Sequence, residues 1–227
     1  MKKTLLILIV SVFAIVSCQK AELKKPTAVN FALDLNKSFG PDSKVKMVSG
    51  GINITEFRIN GDRLEGEDIA FSRSFGDGLS TDLNGSGEVS DLDFDLPQGE
   101  YLSISLDFDI KPNGSDHAFF LEGTYKQSQG PTVGLRFEFD AENNFVINGE
   151  DGDQNATIIM DKDLGKKVKI EFDPIYWFDG LTTNQLDNAT ITPQQGQDVI
   201  ILSTTENVAL YEVVANRMTT SNRAIFE

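Results

Sequence analysis

Residues 101–110 read Tyr-Leu-Ser-Ile-Ser-Leu-Asp-Phe-Asp-Ile, and this stretch decides the fold class. Apolar residues fall at every second position, at Leu102, Ile104, Leu106, Phe108 and Ile110, with serine or aspartate between them. A period of two is typical of a β-strand with one buried face, because successive side chains point to opposite sides of the strand. We therefore predict a strand here.

The same alternation returns along the rest of the chain. It is seen at residues 29–35, 92–96, 133–139, 168–172 and 199–202, and it slips by one residue at Thr55-Glu56, which predicts a β-bulge. Pairs that can supply the positive φ angles of tight turns separate many of these runs: Asn60-Gly61, Asp77-Gly78, Asn84-Gly85, Asn113-Gly114 and Asn148-Gly149. Many short strands with such spacing predict an all-β fold, an antiparallel β-sandwich.

One amphipathic helix is predicted near the C-terminus. Residues 203–206, Ser-Thr-Thr-Glu, fit a capping box, and Leu210, Tyr211, Val214 and Met218 then fall on one stripe. Residues 111–117 are the best candidate linker, so the region 28–227 is either one continuous β unit, which we favour, or two smaller ones.

The N-terminus has the pattern of an export signal. Lys2 and Lys3 precede the apolar run Leu5–Val16, which as a helix would cover roughly 18 Å, short of the roughly 30 Å hydrocarbon core of a bilayer. Such a segment is too short to span and is typical of a removable signal. Small Ser17 then precedes Cys18, the only cysteine of the chain.

Residues 15–18, Ile-Val-Ser-Cys, resemble the lipobox of bacterial lipoproteins. This resemblance implies a signal peptide over 1–17, a lipidated Cys18 and a tether over 18–27, and it places the protein on the bacterial outer membrane, on the surface or the periplasmic face. Residues 19–22, Gln-Lys-Ala-Glu, are similar to charged export tags of surface-displayed lipoproteins. The predicted membrane contact is through fatty chains, such as palmitate, on Cys18.

The charge of the chain argues against nucleic acid as a partner. The sequence has 20 basic and 35 acidic residues, a net charge of −15, and loss of Lys2 and Lys3 with the signal would make it −17. Such a surface repels phosphate backbones.

A second resemblance concerns the fold. Residues 95–101, Asp-Leu-Pro-Gln-Gly-Glu-Tyr, are similar to the Leu-Pro-x-Gly-x-Tyr entry of transthyretin-like (prealbumin-like) β-sandwich domains. Together with the lipobox, the chain resembles uncharacterised envelope lipoproteins built on such sandwiches. The resemblance implies a fold and leaves the ligand open.

No catalytic constellation is recognisable in the sequence. His117 is the sole histidine, which excludes multi-histidine metal sites, and we interpret it as an ordinary loop residue. Phosphate-binding glycine loops and nucleophile elbows are absent from the sequence. Paired carboxylates of a glycoside hydrolase stay an alternative, because 35 acidic residues offer many pairs.

Two stretches could hold a ligand. Asp151, Asp153 and Asn155 place oxygen atoms at alternate positions, which suits calcium, although we favour solvated turns as the explanation of this loop. Tyr176-Trp177-Phe178 are three adjacent aromatic residues. We expect core packing for most of them, and the functional alternative is a sugar platform of Trp177 and Tyr176 flanked by Asp173 and Asp179.

These observations favour a lipid-anchored, non-enzymatic envelope protein that binds or scaffolds. Its expected partners are polysaccharide or a neighbouring envelope protein, with no cofactor other than calcium. The alternatives are a structural or adhesive surface subunit and a carbohydrate-active hydrolase.

Overall fold

The computed structural model describes residues 25–83, 87–114, 116–161, 163–194 and 196–227, and strands dominate them. The strands are β1 Pro26–Leu35, β2 Val45–Arg63, β3 Ile69–Asp82, β4 Phe94–Pro97, β5 Gly99–Ile110, β6 Phe119–Lys126, β7 Thr132–Phe139, β8 Asn143–Asp151, β9 Ile158–Met160, β10 Lys166–Phe172, β11 Ile191–Gln194, β12 Gln197–Leu202 and β13 Arg223–Phe226. The helices are α1 Pro174–Phe178, α2 Thr183–Asp187 and α3 Val208–Ala215, with a 3₁₀ turn at Ser90–Leu92. The prediction of a mostly β protein is confirmed.

The strands form one mixed sheet. Its order is β11-β12-β7-β6-β2-β5-β8-β13-β10-β1-β4, with β3 paired to β2 and β9 paired to β5. Three pairs are parallel, β1 with β10, β7 with β12 and β8 with β13, so the prediction of a purely antiparallel sheet is wrong. Parallel neighbours need long connections, and the segments carrying the three helices lie within those connections. Alternation along one strand does not reveal the direction of its partner.

The long strand β2 joins the two halves of the sheet. Its residues 54–63 pair with β5 and its residues 45–52 pair with β6, on opposite sides of the predicted linker 111–117. Asn53 lies at the junction, where its Nδ2 donates to the Lys111 carbonyl over 2.6 Å and its Oδ1 accepts from Ser80 Oγ over 3.0 Å. One sheet therefore runs across this loop.

The sheet bends so that strands that are not neighbours in its order pack ring against ring. Phe31 of β1 meets Phe57 of β2 with ring centroids 5.1 Å apart, and Phe172 of β10 meets Phe119 of β6 at 5.7 Å and Phe145 of β8 at 5.3 Å. All five rings are fully buried, and they belong to one continuous hydrophobic core. Edge-to-face contacts of this kind add to the stability that burial of their apolar surface supplies.

Two edges of the bent sheet approach one another through side chains. Arg73 of β3 donates from Nη1 to the Asp91 carbonyl and from Nη2 to the Asp93 carbonyl, the latter over 2.8 Å. Its guanidinium carbon lies 4.5 Å from the ring centroid of Phe94 in β4. A charge-assisted fork thus links the β3 and β4 edges where main-chain pairing does not.

Strand faces agree with the alternation in most places. In β1, β7 and β10 the predicted apolar positions are buried, and the predicted bulge lies between Ile54 and Glu56. Strand β5 differs at its start, because Tyr101 is buried whereas Leu102 is 54% exposed. Asp62 pairs with Ser103 and Arg63 pairs with Tyr101, so Leu102 is the extra residue of a bulge that the sequence pattern does not reveal.

Several turn predictions are corrected. Asn113-Gly114 does form a turn with its glycine at a positive φ of +63°, whereas Asp77-Gly78 lies inside β3, although Gly78 has a φ of +78°. Asn60-Gly61 and Asn148-Gly149 also lie inside strands, β2 and β8, because strand pairing there overrides the local turn preference. Asn84-Gly85 falls outside the described residues.

The C-terminal helix exists, but its predicted start is wrong. Ser203 Oγ accepts from the N–H groups of Thr205 and Glu206, which closes a turn before the helix. Helix α3 begins after Asn207, whose φ is +48° and which makes no side-chain cap bond. A capping box is found instead at α2, where Thr182 and Gln185 bond reciprocally.

The alternation at residues 92–96 does not correspond to one strand. Residues 90–92 form the 3₁₀ turn, and β4 starts only at Phe94. The Asp93 carboxylate accepts from Asn30 Nδ2 over 2.8 Å and from the Phe31 N–H over 3.1 Å. This carboxylate therefore connects the turn to β1.

Candidate functional site

The three adjacent aromatic residues lie on a short helix and not on a strand. Pro174 occupies the first turn of α1, where its missing N–H leaves no unsatisfied donor, and Asp173 is the N-cap, accepting from the Tyr176 N–H over 3.4 Å. Helical spacing separates Tyr176, Trp177 and Phe178 around the axis. Tyr176 is exposed, whereas Trp177 and Phe178 face the core.

Trp177 cannot serve as a sugar platform in this position. Its side chain is fully buried, and its indole Nε1 donates to the Thr220 carbonyl over 3.0 Å. Phe119 and Phe172 pack edge-on at centroid distances of 5.6 Å and 6.3 Å. Since stacking on a sugar ring requires an open indole face, the structure does not support this part of the sequence hypothesis.

The other three residues of that hypothesis do not converge on one ligand. Tyr176 is 41% exposed, but Arg217 lies 4.1 Å from its ring centroid and donates to the Tyr176 carbonyl over 2.7 Å. Asp173 also accepts from Asn36 Nδ2 over 3.2 Å. Asp179 is exposed at the other end of the helix, as its C-cap. The structure therefore gives Asp173 and Arg217 roles in holding the helix.

In the predicted calcium loop, the Asp151 carboxylate accepts hydrogen bonds from other residues of the same loop. Asp151 Oδ1 accepts from the Asp153 N–H at 3.0 Å, from the Asn155 N–H at 3.3 Å and from Asn155 Nδ2 at 2.8 Å. Partial loss of solvent opposes ionisation of Asp151, but the hydrogen bonds from Asn155 and Asp153 outweigh it and hold the pKa below its ordinary value. Within the part of the chain that the structure describes, no group of three His, Cys, Asp or Glu side chains is arranged to hold a metal ion.

Cys18, the predicted lipid attachment site, lies outside the described residues. The first described residue, Lys25, follows it by seven positions. Among the described residues, no helix is both long and apolar enough to cross a bilayer.

An open cleft forms where β2, β3 and β6 meet, and we name it the Phe120 cleft. Its volume is about 640 Å³. Gly51 of β2 is its centre, because it pairs with Asp82 of β3 on one side and with Phe120 of β6 on the other. The remaining walls include Glu88, Asp116 and His117. The site thus combines residues from four separate stretches of the chain.

The position of the Phe120 ring depends on the glycine opposite. A β-carbon added at Gly51 would lie under 3.0 Å from two atoms of the Phe120 ring. The absence of a side chain at residue 51 lets the ring lie against the β2 backbone, half-buried at the cleft. Phe119 points to the opposite face and into the core, as expected for the next residue along a strand.

His117 connects the cleft to a row of charges on the β6–β7 face. Its Nδ1 lies 2.6 Å from Asp140 Oδ1 and its Nε2 lies 3.7 Å from Glu138 Oε1. Arg136 continues the row, 3.5 Å from Glu138 and 2.8 Å from Glu122. His117 lies in the loop before β6, as the sequence predicted, but its imidazole is half-buried and is held in place by a carboxylate.

The chemistry of the cleft suits a neutral, hydroxyl-rich ligand. Asp82, Glu88 and Asp116 offer carboxylate oxygens, which accept hydrogen bonds, and Ser80 adds a hydroxyl. Glu88 Oε1 also pairs with Lys167 Nζ, 3.0 Å away. The Phe120 ring offers an apolar surface beside them. Anionic ligands are disfavoured, because three carboxylates line the same space.

Sequence reasoning missed Phe120, although one signal was present. Phe119 and Phe120 are adjacent in a stretch that alternates elsewhere, and on a strand only one of two neighbours can face the core. The partner Gly51 and the acidic walls could not be found in this way, because they come from distant parts of the chain.

Comparison with protein-family models, with curated proteins and with solved structures finds no match for this chain.

Proposed function

We propose that this protein is a lipid-anchored β domain of the bacterial envelope that binds polysaccharide in the Phe120 cleft. The observation that carries the ligand class is the Phe120 ring, held against Gly51 beside three carboxylates in an open cleft of about 640 Å³. An aromatic surface next to hydrogen-bond acceptors matches the C–H faces and hydroxyl groups of a sugar. The anchor is proposed from the sequence around Cys18.

The binding test is a glycan-array screen on the purified full-length chain in detergent, followed by titration with the best ligand. Phe120→Leu keeps an apolar side chain of similar size and removes the ring, so the affinity should fall at least about tenfold if stacking contributes about 1.4 kcal/mol. Tyr176→Ala is the matched control, because Tyr176 is exposed on the helix that the sequence suggested as the site. Binding that is lost in Tyr176→Ala and kept in Phe120→Leu would overturn the assignment of the cleft.

Lipid attachment is tested separately. Mass spectrometry of the protein extracted from its native membranes should show acyl chains on Cys18, and Cys18→Ser should move the protein to the soluble fraction. If the Cys18→Ser variant stayed membrane-bound, lipid anchoring through Cys18 would be contradicted, and the proposal that the cleft binds polysaccharide would be unaffected.

The same cleft offers a test of the hydrolase alternative. Because Asp82, Glu88 and Asp116 line one space, chromatography of the array ligand after incubation shows whether the chain releases shorter sugars. Unchanged ligand supports binding alone, whereas product release that Asp82→Asn or Asp116→Asn abolishes would make the protein a glycoside hydrolase.

A second candidate function rests on strand β3. This strand of 14 residues pairs with β2 on one edge, and no described strand pairs with its other edge. Such an edge can accept a strand from another chain, as a surface subunit would require. Concentration-dependent assembly in light scattering, abolished by Ser74→Pro, together with an empty glycan array, would favour this subunit role.

A further inference from the structure

Exposed apolar side chains gather at one end of the domain. Leu64 and Ile159 are each 54% exposed, and Leu164 is 69% exposed. These three residues are named here the tether-end patch. They come from the β2–β3 loop, from β9 and from the β9–β10 loop, so their proximity is a property of the folded chain.

The segment 98–100 brings the tether-end patch together. The Glu100 carbonyl accepts from the Leu64 N–H over 2.9 Å, and Glu100 pairs with Ile159 across β5 and β9. Leu164 follows β9 and forms a bridge with Asp161, one residue after the end of that strand.

The polypeptide leaves the domain toward its anchor at the same place. The Lys25 carbonyl accepts from the Gln98 N–H over 2.8 Å, and Pro26 pairs with Pro97. Cys18 is seven residues before Lys25, so even a fully extended chain places it within about 25 Å of this end. Acyl chains on Cys18 would therefore keep this end, and no other, close to the bilayer.

The Leu64 loop is held firmly enough to present its side chain. Arg63 donates from Nη2 to the Gln98 carbonyl over 2.6 Å and from Nη1 to the Glu67 carbonyl over 3.2 Å. The Arg63 N–H donates to Asp68 over 3.0 Å. These bonds tie both ends of the loop to the segment that also holds Lys25.

We propose that the tether-end patch inserts into the interface of a lipid bilayer and orients the domain on the membrane. This inference rests on the proposed lipid anchor. Leu64, Ile159 and Leu164 supply apolar side chains of the kind that enter the headgroup boundary. Exposed charges of both signs lie near the patch, at Glu65, Asp161 and Lys25, so the surface that fits is zwitterionic.

The test uses the fact that the chain has a single cysteine, which acylation would consume. Leu164→Cys in the full-length acylated protein then gives one reactive thiol for an NBD fluorophore. Val48→Cys is the matched control, since Val48 is a 58% exposed apolar residue at the other end of β2. Both proteins are reconstituted on phosphatidylcholine vesicles that carry doxyl-labelled lipid, and acylation is verified by mass.

Doxyl lipid should quench the label at residue 164 about twofold and leave the label at residue 48 unchanged, because interfacial insertion reaches about 5–10 Å into the headgroup and acyl boundary. Equal quenching at both positions, or none at residue 164, in protein that is acylated and vesicle-bound would overturn the patch and leave the anchor intact. Protection from aqueous iodide at residue 164 without doxyl quenching would instead assign the patch to a contact with a second copy of this chain and overturn its insertion into lipid. Absence of any acyl adduct would overturn both proposals, and the mass measurement identifies this case.

Discussion

The indole of Trp177 donates its N–H to the backbone carbonyl of Thr220, 3.0 Å away, and this contact ties helix α1 to the segment before the last strand. Trp177 also packs against Phe119 and Phe172, so it closes the core at the junction of β6 and β10. The only tryptophan of the chain is thus part of the framework.

Substitution of Trp177 should affect stability. Trp177→Phe keeps most of the ring volume and removes the hydrogen bond to the Thr220 carbonyl, so the free energy of unfolding should fall by about 0.5–1.5 kcal/mol. Trp177→Ala should cost about 3–5 kcal/mol, because a cavity replaces a large buried side chain. Urea denaturation measures both. Tyr176→Ala is the control, with an expected loss of about 1 kcal/mol or less; equal losses for Trp177→Ala and Tyr176→Ala would contradict the burial of the indole.

A side chain at residue 51 should displace the Phe120 ring. Gly51→Ala places a methyl group in the volume of that ring, which ends a half-buried side chain that can turn away, so we expect glycan affinity to fall while the free energy of unfolding falls by about 1 kcal/mol or less. Gly76→Ala is the control, because a β-carbon there has no neighbour within 4 Å. Denaturation and glycan titration of the two variants give the comparison. Unchanged binding in Gly51→Ala would show that the ring position does not matter to the ligand.

The pKa of Asp187 should depend on its hydrogen bond with Tyr125. Hydrogen bonds from Ser128 and from the Tyr125 hydroxyl, the latter over 2.7 Å, lower the pKa of Asp187 to about 2, and burial together with Asp187 raises the pKa of Tyr125 to about 12. Tyr125→Phe removes one donor, so the pKa of Asp187 should move up toward its ordinary value of 3.8. Carbon-detected NMR of the carboxyl group measures this change.

The sign of the stability effect follows from the lowered pKa of Asp187. Its ionised form is favoured in the folded state, so its contribution is complete above pH 3.8 and is lost as the pH falls toward about 2. The difference in the free energy of unfolding between wild type and Tyr125→Phe should therefore narrow as the pH falls from 3.8 toward about 2. In an Asp187→Asn background, Tyr125→Phe should not change how the free energy of unfolding depends on pH between about 2 and 3.8. If it does change this dependence, another titrating group is responsible.

Arg73 should slow amide hydrogen exchange in the segment that it links to β3. Arg73→Met keeps the apolar stem over Phe94 but removes the donors to the Asp91 and Asp93 carbonyls. Amide hydrogen exchange at residues 90–97 should therefore accelerate, since this short segment loses its link to β3. Ser72→Ala, on the exposed neighbouring position of β3, should exchange like wild type. Unchanged exchange in Arg73→Met would show that β4 is held by β1 alone.

Local patterns were sufficient to predict which face of most strands is buried. Strand β1 illustrates this, because Val29, Phe31, Leu33 and Leu35 alternate in sequence and are all buried. Leu102 shows the limit of the method. Its position also fits the alternation, but the bulge opposite Asp62 exposes it, and that bulge depends on a strand 40 residues earlier.

The candidate site was predictable only in small part. His117 was noted as the sole histidine, but its 2.6 Å contact with Asp140 arises from the pairing of β6 with β7. The Tyr176–Phe178 stretch was noted for its aromatic content, and nothing local told which ring is exposed. Helical spacing and packing against the core determine that Tyr176 is exposed while Trp177 and Phe178 are buried.

The sequence by itself determined the β character of the protein, the inward face of its main strands and the hypothesis of an anchor at Cys18, which stays a prediction. These follow from side-chain period and from short contiguous motifs, which are local properties of a chain. The tertiary structure alone decided the parallel pairing of β1 with β10, the burial of Trp177 and the meeting of Gly51 with Phe120. Each of these depends on residues far apart along the chain, and their contacts are selected by the packing of the whole core.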